Sequence, residues 1–475
     1  MAYGLARRFF RVWIASLLVA ASALIWPGAA AAVEPPVIDP AALPADTVGP
    51  EPGVEWEQRQ ACMVPFAKEG SQFGDPPWSA DFLQLAEAHK QAQGEGVLVA
   101  VIDTGVKASA RLPAEPGGDF IGSTDGLTDC DGHGTMMASL IAGRPGPDDK
   151  FVSVAPKARL ISLRNTSGIL TEKGRAGMDP NDPNQSKPAG TVRGLARAIV
   201  HAVNLGAKVI SISETACLKP SDGIDQASLG AAVRYAVLDK DAVIVTAAGN
   251  VESGQRAASG SSCGQNPGPI PSNPQDAAGW GQVRTVVTPA WYAPLVLTVG
   301  AVRRDGAPAD FSVHGPWLGA SAPGDEMTAL FDDHPVDALP GTEGPVNLQG
   351  TSYSTAQVAG VAALIRSDPR YKDLTANQVM DRIIRSSRHP GPGWDNVQGF
   401  GPVNALAALS WDLPVGPQLP PVRVRQIPPP PPRTEPDFGP ITKVVGVFAG
   451  AMALAGLVYL GRKAGQKKTS KGSKR

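Results

Sequence analysis

Apolar and polar positions alternate along this chain in a way that marks out a run of short elements. Val99-Ala100-Val101-Ile102 is apolar at consecutive positions and stops at Asp103, which reads as a buried strand ending in a carboxylate. Met136 to Gly143 is predicted to be a helix, with Ala138, Ile141 and Ala142 small or apolar where it must pack close to a sheet. Ala158 to Arg164 alternates as a strand does, and Val192 to Leu205 has the stripe of an amphipathic helix. A strand from Ala207 to Ser213 follows, and another ends near Asn250.

The stretches between and outside these elements are just as informative. Residues 33–76 are rich in Pro, Glu and Ala and show no periodicity before Trp56. Asn165 to Gly190 is a loop of about 26 residues, a length that is usually functional or disordered. A second Gly/Pro/Ser-rich insert runs from beyond Asn250 to about Ala290. From Asp412 to Pro440 eleven residues are proline, the composition of a stiff polyproline II spacer. Val444 to Leu460 is apolar and uncharged, just long enough to span a membrane, and has no polar face that would make it a surface helix.

The N-terminus adds a second apolar run. Arg7, Arg8 and Arg11 precede an apolar stretch from Val12 to Trp26 that ends in Ala29 to Ala32, the layout of a secretory signal peptide over residues 1–32. The stretch is short for an uncleaved anchor. Export suits the four cysteines, an even number in an oxidising compartment.

Composition matters mainly through charge. A formal net charge of −1 conceals basic ends: between them, 32 basic residues face 44 acidic ones, net −12. An acidic ectodomain is a poor nucleic-acid binder. The basic tail, residues 461–475, places itself in the cytoplasm and the rest outside by the positive-inside rule. At 475 residues the chain can bury one large domain with appendages.

The chemistry centres on Gly350-Thr351-Ser352. A serine in such a turn is ordinarily a capping residue, and as a nucleophile it needs a base held by a third group. His133, in Asp131-Gly132-His133-Gly134-Thr135, and Asp103, in Asp103-Thr104-Gly105, supply both in the order Asp, His, Ser. A lone D-T-G also occurs in aspartic proteases, but that chemistry needs two adjacent carboxylates, and no second D-T-G or D-S-G is present. His89, His201, His314, His334 and His389 lack such a setting and read as packing or surface residues; no metal-ligand spacing is found, so no metal or cofactor is expected.

These segments, with Ala247-Ala248-Gly249-Asn250, resemble the signatures of the subtilisin-like serine proteases, or subtilases. The resemblance covers residues 77–411 and implies an α/β, three-layer fold with a mostly parallel β-sheet flanked by helices, acting on a protein or peptide substrate. It assigns Asp103, His133 and Ser352 as the triad and Asn250 as oxyanion donor. Ser213, Glu214 and Thr215 fall where subtilases line the primary specificity pocket; Thr215, in place of a glycine, implies a tight pocket that takes Ala or Ser. The 158–164 strand corresponds to an edge that clamps an extended substrate. Ala356-Gln357 stands where most subtilases have Pro-His, and Met136 where many have a second His.

Adjacent parallel strands ending at Ser213 and near Asn250 would bring Cys217 to Cys263, leaving Cys62 to pair with Cys130. The extension, 33–76, lacks the pattern of a folded prodomain and is expected to lie along the domain. The whole layout, with linker 412–440, span 441–460 and tail 461–475, resembles the mycosins, membrane-anchored subtilases of actinobacterial type VII secretion systems. That implies the secretion membrane complex as a partner. Two functions stay open: a working endopeptidase, and a structural component whose proteolysis is dispensable.

Overall fold

The computed structural model describes residues 33–173, 189–220, 226–251, 263–268, 276, 278–420, 451–458 and 460. The expected signal peptide, most of the first loop insert and part of the second, the linker beyond 420, much of the apolar segment 441–460 and the basic tail lie outside the described residues. Residues Met1–Arg423 form one compact unit and Val424–Arg475 another.

In the larger unit seven parallel strands make the central sheet. They are β1 (Leu98–Asp103), β2 (Glu115–Asp119), β3 (Arg159–Arg164), β4 (Val209–Ile212), β5 (Val243–Ala247), β6 (Leu297–Val302) and β7 (Leu318–Pro323), in the spatial order β7-β6-β5-β4-β1-β3-β2. Every residue of β1, β4, β5 and β6 is buried. That is why these segments read as largely apolar runs, unbroken in β1 from Leu98 to Ile102: a parallel sheet is covered on both faces. Each fully buried Val, Leu or Ile contributes about 1.5–3 kcal/mol, and Val99, Ile102, Ile210 and Ile244 are all at 0 % exposure.

Two helices serve the site directly. One spans His133–Ala142 and the other Thr351–Ser367; they pack on each other, and the second also lies across β4, β5 and β6. The second helix also packs tightly on the segment that follows the first, because Gly360 carries no side chain. A Cβ on Gly360 would meet the Val154 Cβ at 2.5 Å. The amphipathic stripe predicted from Val192 to Leu205 is a helix over Val192–Asn204, started by Thr191, whose side chain accepts the Gly194 N–H. Leu195, Ile199 and Val203 fall on its buried side, each four residues from the next, as one helix face allows.

The extension lies along this unit in contact with widely separated parts of the chain. Asp46 bonds His201 and Asn204. Trp56–Gln58 pairs antiparallel with Leu170–Glu172, so the beginning of the 165–190 segment, expected to be loop, is strand. Phe66 exchanges backbone hydrogen bonds with Ala338, and Lys68 Nζ donates to Asn347 Oδ1. Both disulfides are present: Cys62–Cys130 with Cα atoms 4.6 Å apart and Cys217–Cys263 with Cα atoms 5.3 Å apart. The second joins segments that follow β4 and β5, which are parallel neighbours.

The expectation for the 158–164 strand as a substrate-clamping edge is corrected. β3 is hydrogen-bonded to β1 on one side and β2 on the other, so neither of its edges is open. Just beyond it, the Ser167 N–H and carbonyl are both bonded to Ala189.

In the smaller unit residues 451–458 are helical and exposed. Among the described residues no helix is long and apolar enough to cross a membrane.

Candidate active site

Asp103 stands where the apolar run of β1 stops, 1 % exposed. Its Oδ1 lies 2.7 Å from His133 Nδ1 and also accepts the Thr104 N–H at 2.7 Å, while Oδ2 is buried with no hydrogen-bond partner among the described residues. His133 is the first residue of its helix. Gly134, next to it, is needed for the approach: a Cβ there would sit 2.0 Å from the Gly105 carbonyl oxygen and 3.1 Å from Asp103 Cβ.

Burial opposes charge on the imidazole, but a third of the side chain remains exposed. The charge and hydrogen bond of Asp103, with Asp129 and Asp131 nearby, raise the His133 pKa above its ordinary value.

Asp129 is the residue that sequence reasoning passed over. Its carboxylate accepts Thr104 Oγ1 at 2.8 Å, Gly132 N–H at 2.8 Å, Thr135 N–H at 2.9 Å and Thr135 Oγ1 at 2.6 Å. Thr104 Oγ1 in turn accepts the Gly134 N–H at 2.8 Å. The histidine loop is thus tied to the end of β1 through side chains. Burial pushes the Asp129 carboxyl up to about 6 against these hydrogen bonds. A carboxylate in a loop just ahead of a helix, with acceptable donors at the third and sixth following positions, is an Asx-type arrangement that would have flagged it. Asp131 plays a similar part on the other side, accepting from Ser167 Oγ at 2.6 Å and Gly168 N–H at 2.6 Å. Cys130, between these aspartates, carries the bond to Cys62, so the extension is fastened beside His133.

Ser352 is in the first turn of the Thr351–Ser367 helix, 5 % exposed, where the unpaired N–H groups give the helix its positive end. Asn250 Oδ1 accepts the Thr351 N–H at 2.9 Å and Thr351 Oγ1 at 3.1 Å, which fixes its amide plane. A Cβ built on Gly350 would meet both Ser352 Oγ, at 3.1 Å, and Asn250 Nδ2, at 3.5 Å. The hydroxyl and the amide nitrogen therefore face one small space. At the family-atypical positions, Gln357 Nε2 donates to Pro323 O at 2.6 Å, and the Tyr353 hydroxyl reaches the Met136 sulfur at 3.8 Å, both buried. Tyr353 also sets its ring edge-on to His133, centroids 6.3 Å apart.

Ser213, Glu214 and Thr215 follow β4, the strand beside β1. Ser213 is buried and Thr215 half-buried. Glu214 Oε1 accepts Asn165 Nδ2 at 2.6 Å. Burial, together with the Asp103 charge, pushes the Glu214 carboxyl up to about 8, with Asn165 and His133 acting in the opposite direction. Of the remaining histidines, His89 bonds Val154 O at 2.8 Å, His201 bonds Asp46 at 2.7 Å and His389 bonds Ile384 O at 3.0 Å. Among the described residues no cluster of His, Cys, Asp and Glu is arranged to hold a metal.

Comparison with known proteins agrees with this geometry. The subtilase family model matches residues 94–401. Mycosin-1 of Mycobacterium tuberculosis is 52% identical over 450 residues, 94% of this chain and 98% of its own length. The crystal structure of MycP1 from Mycobacterium smegmatis has a TM-score of 0.76 at 52% identity, covering 83% of this chain and 100% of that one. A chain of the intact ESX-5 inner membrane complex, 40% identical, has a TM-score of 0.73 and covers 90% of this chain and 99% of that one. The chain belongs to the subtilase family and, within it, to the mycosins: it is a subtilisin-like serine endopeptidase.

Proposed function

We propose that Ser352, His133 and Asp103 carry out acyl transfer on peptide bonds. Ser352 Oγ attacks the scissile carbonyl, His133 takes its proton and returns it to the leaving amine, and Asp103 holds the imidazole tautomer and stabilises the imidazolium. The observation that carries this reading is the 2.7 Å contact from Asp103 Oδ1 to His133 Nδ1 at the end of β1. Asn250 Nδ2 and the Ser352 N–H would receive the oxyanion, at the positive end of the serine helix. Ser213, Glu214 and Thr215 would line the substrate cleft, with Thr215 favouring a small residue on the acyl side of the cut.

The same proposal extends to location. A signal peptide at 1–32, a spacer at 412–440, one membrane span at 441–460 and a cytoplasmic tail at 461–475 would hold the protease outside the membrane. Resemblance to a chain of the ESX-5 inner membrane complex supports a secretion membrane complex as partner. A second reading, that the protein serves this complex structurally, is favoured by the extension, which is fastened along the domain in the manner of a fixed part.

Ser352→Ala separates the two readings when peptide cleavage and secretion are measured side by side. Cleavage is expected to fall on the order of 10⁶-fold. Secretion that falls with it supports the enzymatic account, whereas secretion that survives refutes proteolysis as the biological role.

A further inference from the structure

Apart from the main core, a small apolar cluster gathers Cys263, Val286, Val287, Val313 and Trp317, with Cys217 and Val251 packed against it. It borders the loop that carries Asn250. The chain leaves β5 through Ala248 and Gly249, and Gly249 adopts a φ of +91° with the Cys263 sulfur close against it. A Cβ there would stand 3.0 Å from Sγ and 3.4 Å from methyl carbons of Val287 and Val313. The Asn250 carbonyl accepts the Cys263 N–H at 3.2 Å. On either side of it, the Gly249 carbonyl accepts the Val313 N–H at 3.1 Å and the Val251 N–H donates to the Phe311 carbonyl at 2.7 Å.

Cys263, 3 % exposed, is in turn fixed by its disulfide. Its partner Cys217 lies in the short strand Ala216–Leu218, which pairs antiparallel with Val286–Thr288 and sets Cys217 opposite Val287. That strand begins directly after Thr215, so one covalent bond joins it to the residue that holds the Asn250 backbone. Asn250 is thereby held at two points, its amide oxygen by Thr351 on the serine helix and its carbonyl by Cys263. The first contact sets the rotation of the amide. The second sets where the backbone beneath it stands.

We propose that the Cys217–Cys263 disulfide positions the catalytic centre: it fixes the backbone at Asn250, and with it the place where Asn250 Nδ2 meets the oxyanion. The inference rests on the acyl-transfer reading above, in which Asn250 is an oxyanion donor. Such a donor is effective because it is already in place when charge develops on the carbonyl oxygen. Opening the bond frees Cys263 from Cys217 and lets the Asn250 loop relax away from the apolar cluster. The loss then falls on the transition state and not on the bound substrate. The bland alternative is a staple that adds stability alone. A staple would lower the melting temperature without acting through Asn250.

The test compares the full chain with Cys217→Ala/Cys263→Ala, with Asn250→Ala and with the two combined, measuring kcat and KM on one peptide well below each melting temperature. Cys217→Ala/Cys263→Ala is expected to lower kcat by about ten- to a hundredfold and to leave KM near the parent value. In the Asn250→Ala background the same pair of changes should lower kcat by less than about twofold, because the group through which the bond acts is gone. Unchanged kcat, a rise in KM at constant kcat, or an equal loss in both backgrounds overturns the positioning role. Asn250→Ala with parental kcat overturns the oxyanion reading itself, and this proposal with it. Should Cys217→Ala/Cys263→Ala fail to fold, the same constants are measured on folded Cys62→Ala/Cys130→Ala, whose remaining disulfide is reduced with a phosphine and then reformed with oxidised glutathione. A kcat that falls and recovers supports the proposal, and one that stays level through a reduction verified by mass overturns it.

Discussion

The two halves of the candidate site are held by opposite means. Around His133 the structure is polar and cross-braced: Asp103, Asp129 and Asp131 each accept hydrogen bonds from the loop or its neighbours, and a disulfide closes the outside. Around Ser352 it is nearly all burial. Thr351 to Ile365 are buried without exception, and Thr351, Ser354, Thr355 and Gln357 donate to backbone carbonyls or to the Asn250 amide oxygen. The serine is placed by packing, as part of a rigid helix. The histidine is placed by charge, at the start of a helix whose preceding loop is braced by carboxylates. A site assembled in this way should respond to pH through one half and to changes of volume through the other.

The largest expected effect is on the polar half. Asp103→Asn should lower kcat by about 10⁴-fold, the scale of losing the correct histidine tautomer. In the parent the base must be neutral, so activity is lost as pH falls through the His133 pKa. Because that pKa is raised by Asp103, the acid limb should lie above the ordinary histidine value of about 6.5 and move down in the variant. An unchanged acid limb in kcat/KM would mean that the contact does not control the base.

The disulfide comes next. Cys62→Ser opens a bond between residues 68 apart in sequence, a closure that contributes about 4 kcal/mol by chain entropy. Melting temperature should drop clearly while peptide turnover changes little. A large gain in turnover with unchanged melting would show the extension to be an inhibitor, contrary to its course along the domain.

A slightly smaller loss, about 3 kcal/mol of transition-state stabilisation, is expected for Asn250→Ala on the packed half, read as a fall of about 10²- to 10³-fold in kcat. KM should stay near the parent value. A rise in KM at constant kcat would reassign Asn250 to ground-state binding.

How far the molecule could be read from its residues follows the same division. The buried strands were legible because a doubly covered parallel sheet requires continuous apolar runs, as in 98–103. Asp103, His133, Ser352 and Asn250 stood out because each sits in a short glycine-bearing motif at the end of an element, in one order. What escaped was whatever depends on partners distant in the chain. Asp129 shows no periodicity, and its meaning comes from Thr104 and Thr135 closing on it. Glu214 and Asn165 are 49 residues apart and meet only because β1 lies between β4 and β3. The same is true of Leu170–Glu172, whose strand character depends on Trp56–Gln58.

The extension has one further consequence, which concerns time. Its docking partners lie far downstream: Leu170–Glu172 for its short strand, Ala338 for Phe66, and Asn347, 279 residues later, for Lys68. Contacts of such separation carry a high loop-closure cost and form late. The stretch around Phe66 and Lys68 must therefore settle late, on a surface that exists only after the chain as far as Asn347 has folded. Its docking reports that folding has reached the threshold of the Ser352 helix.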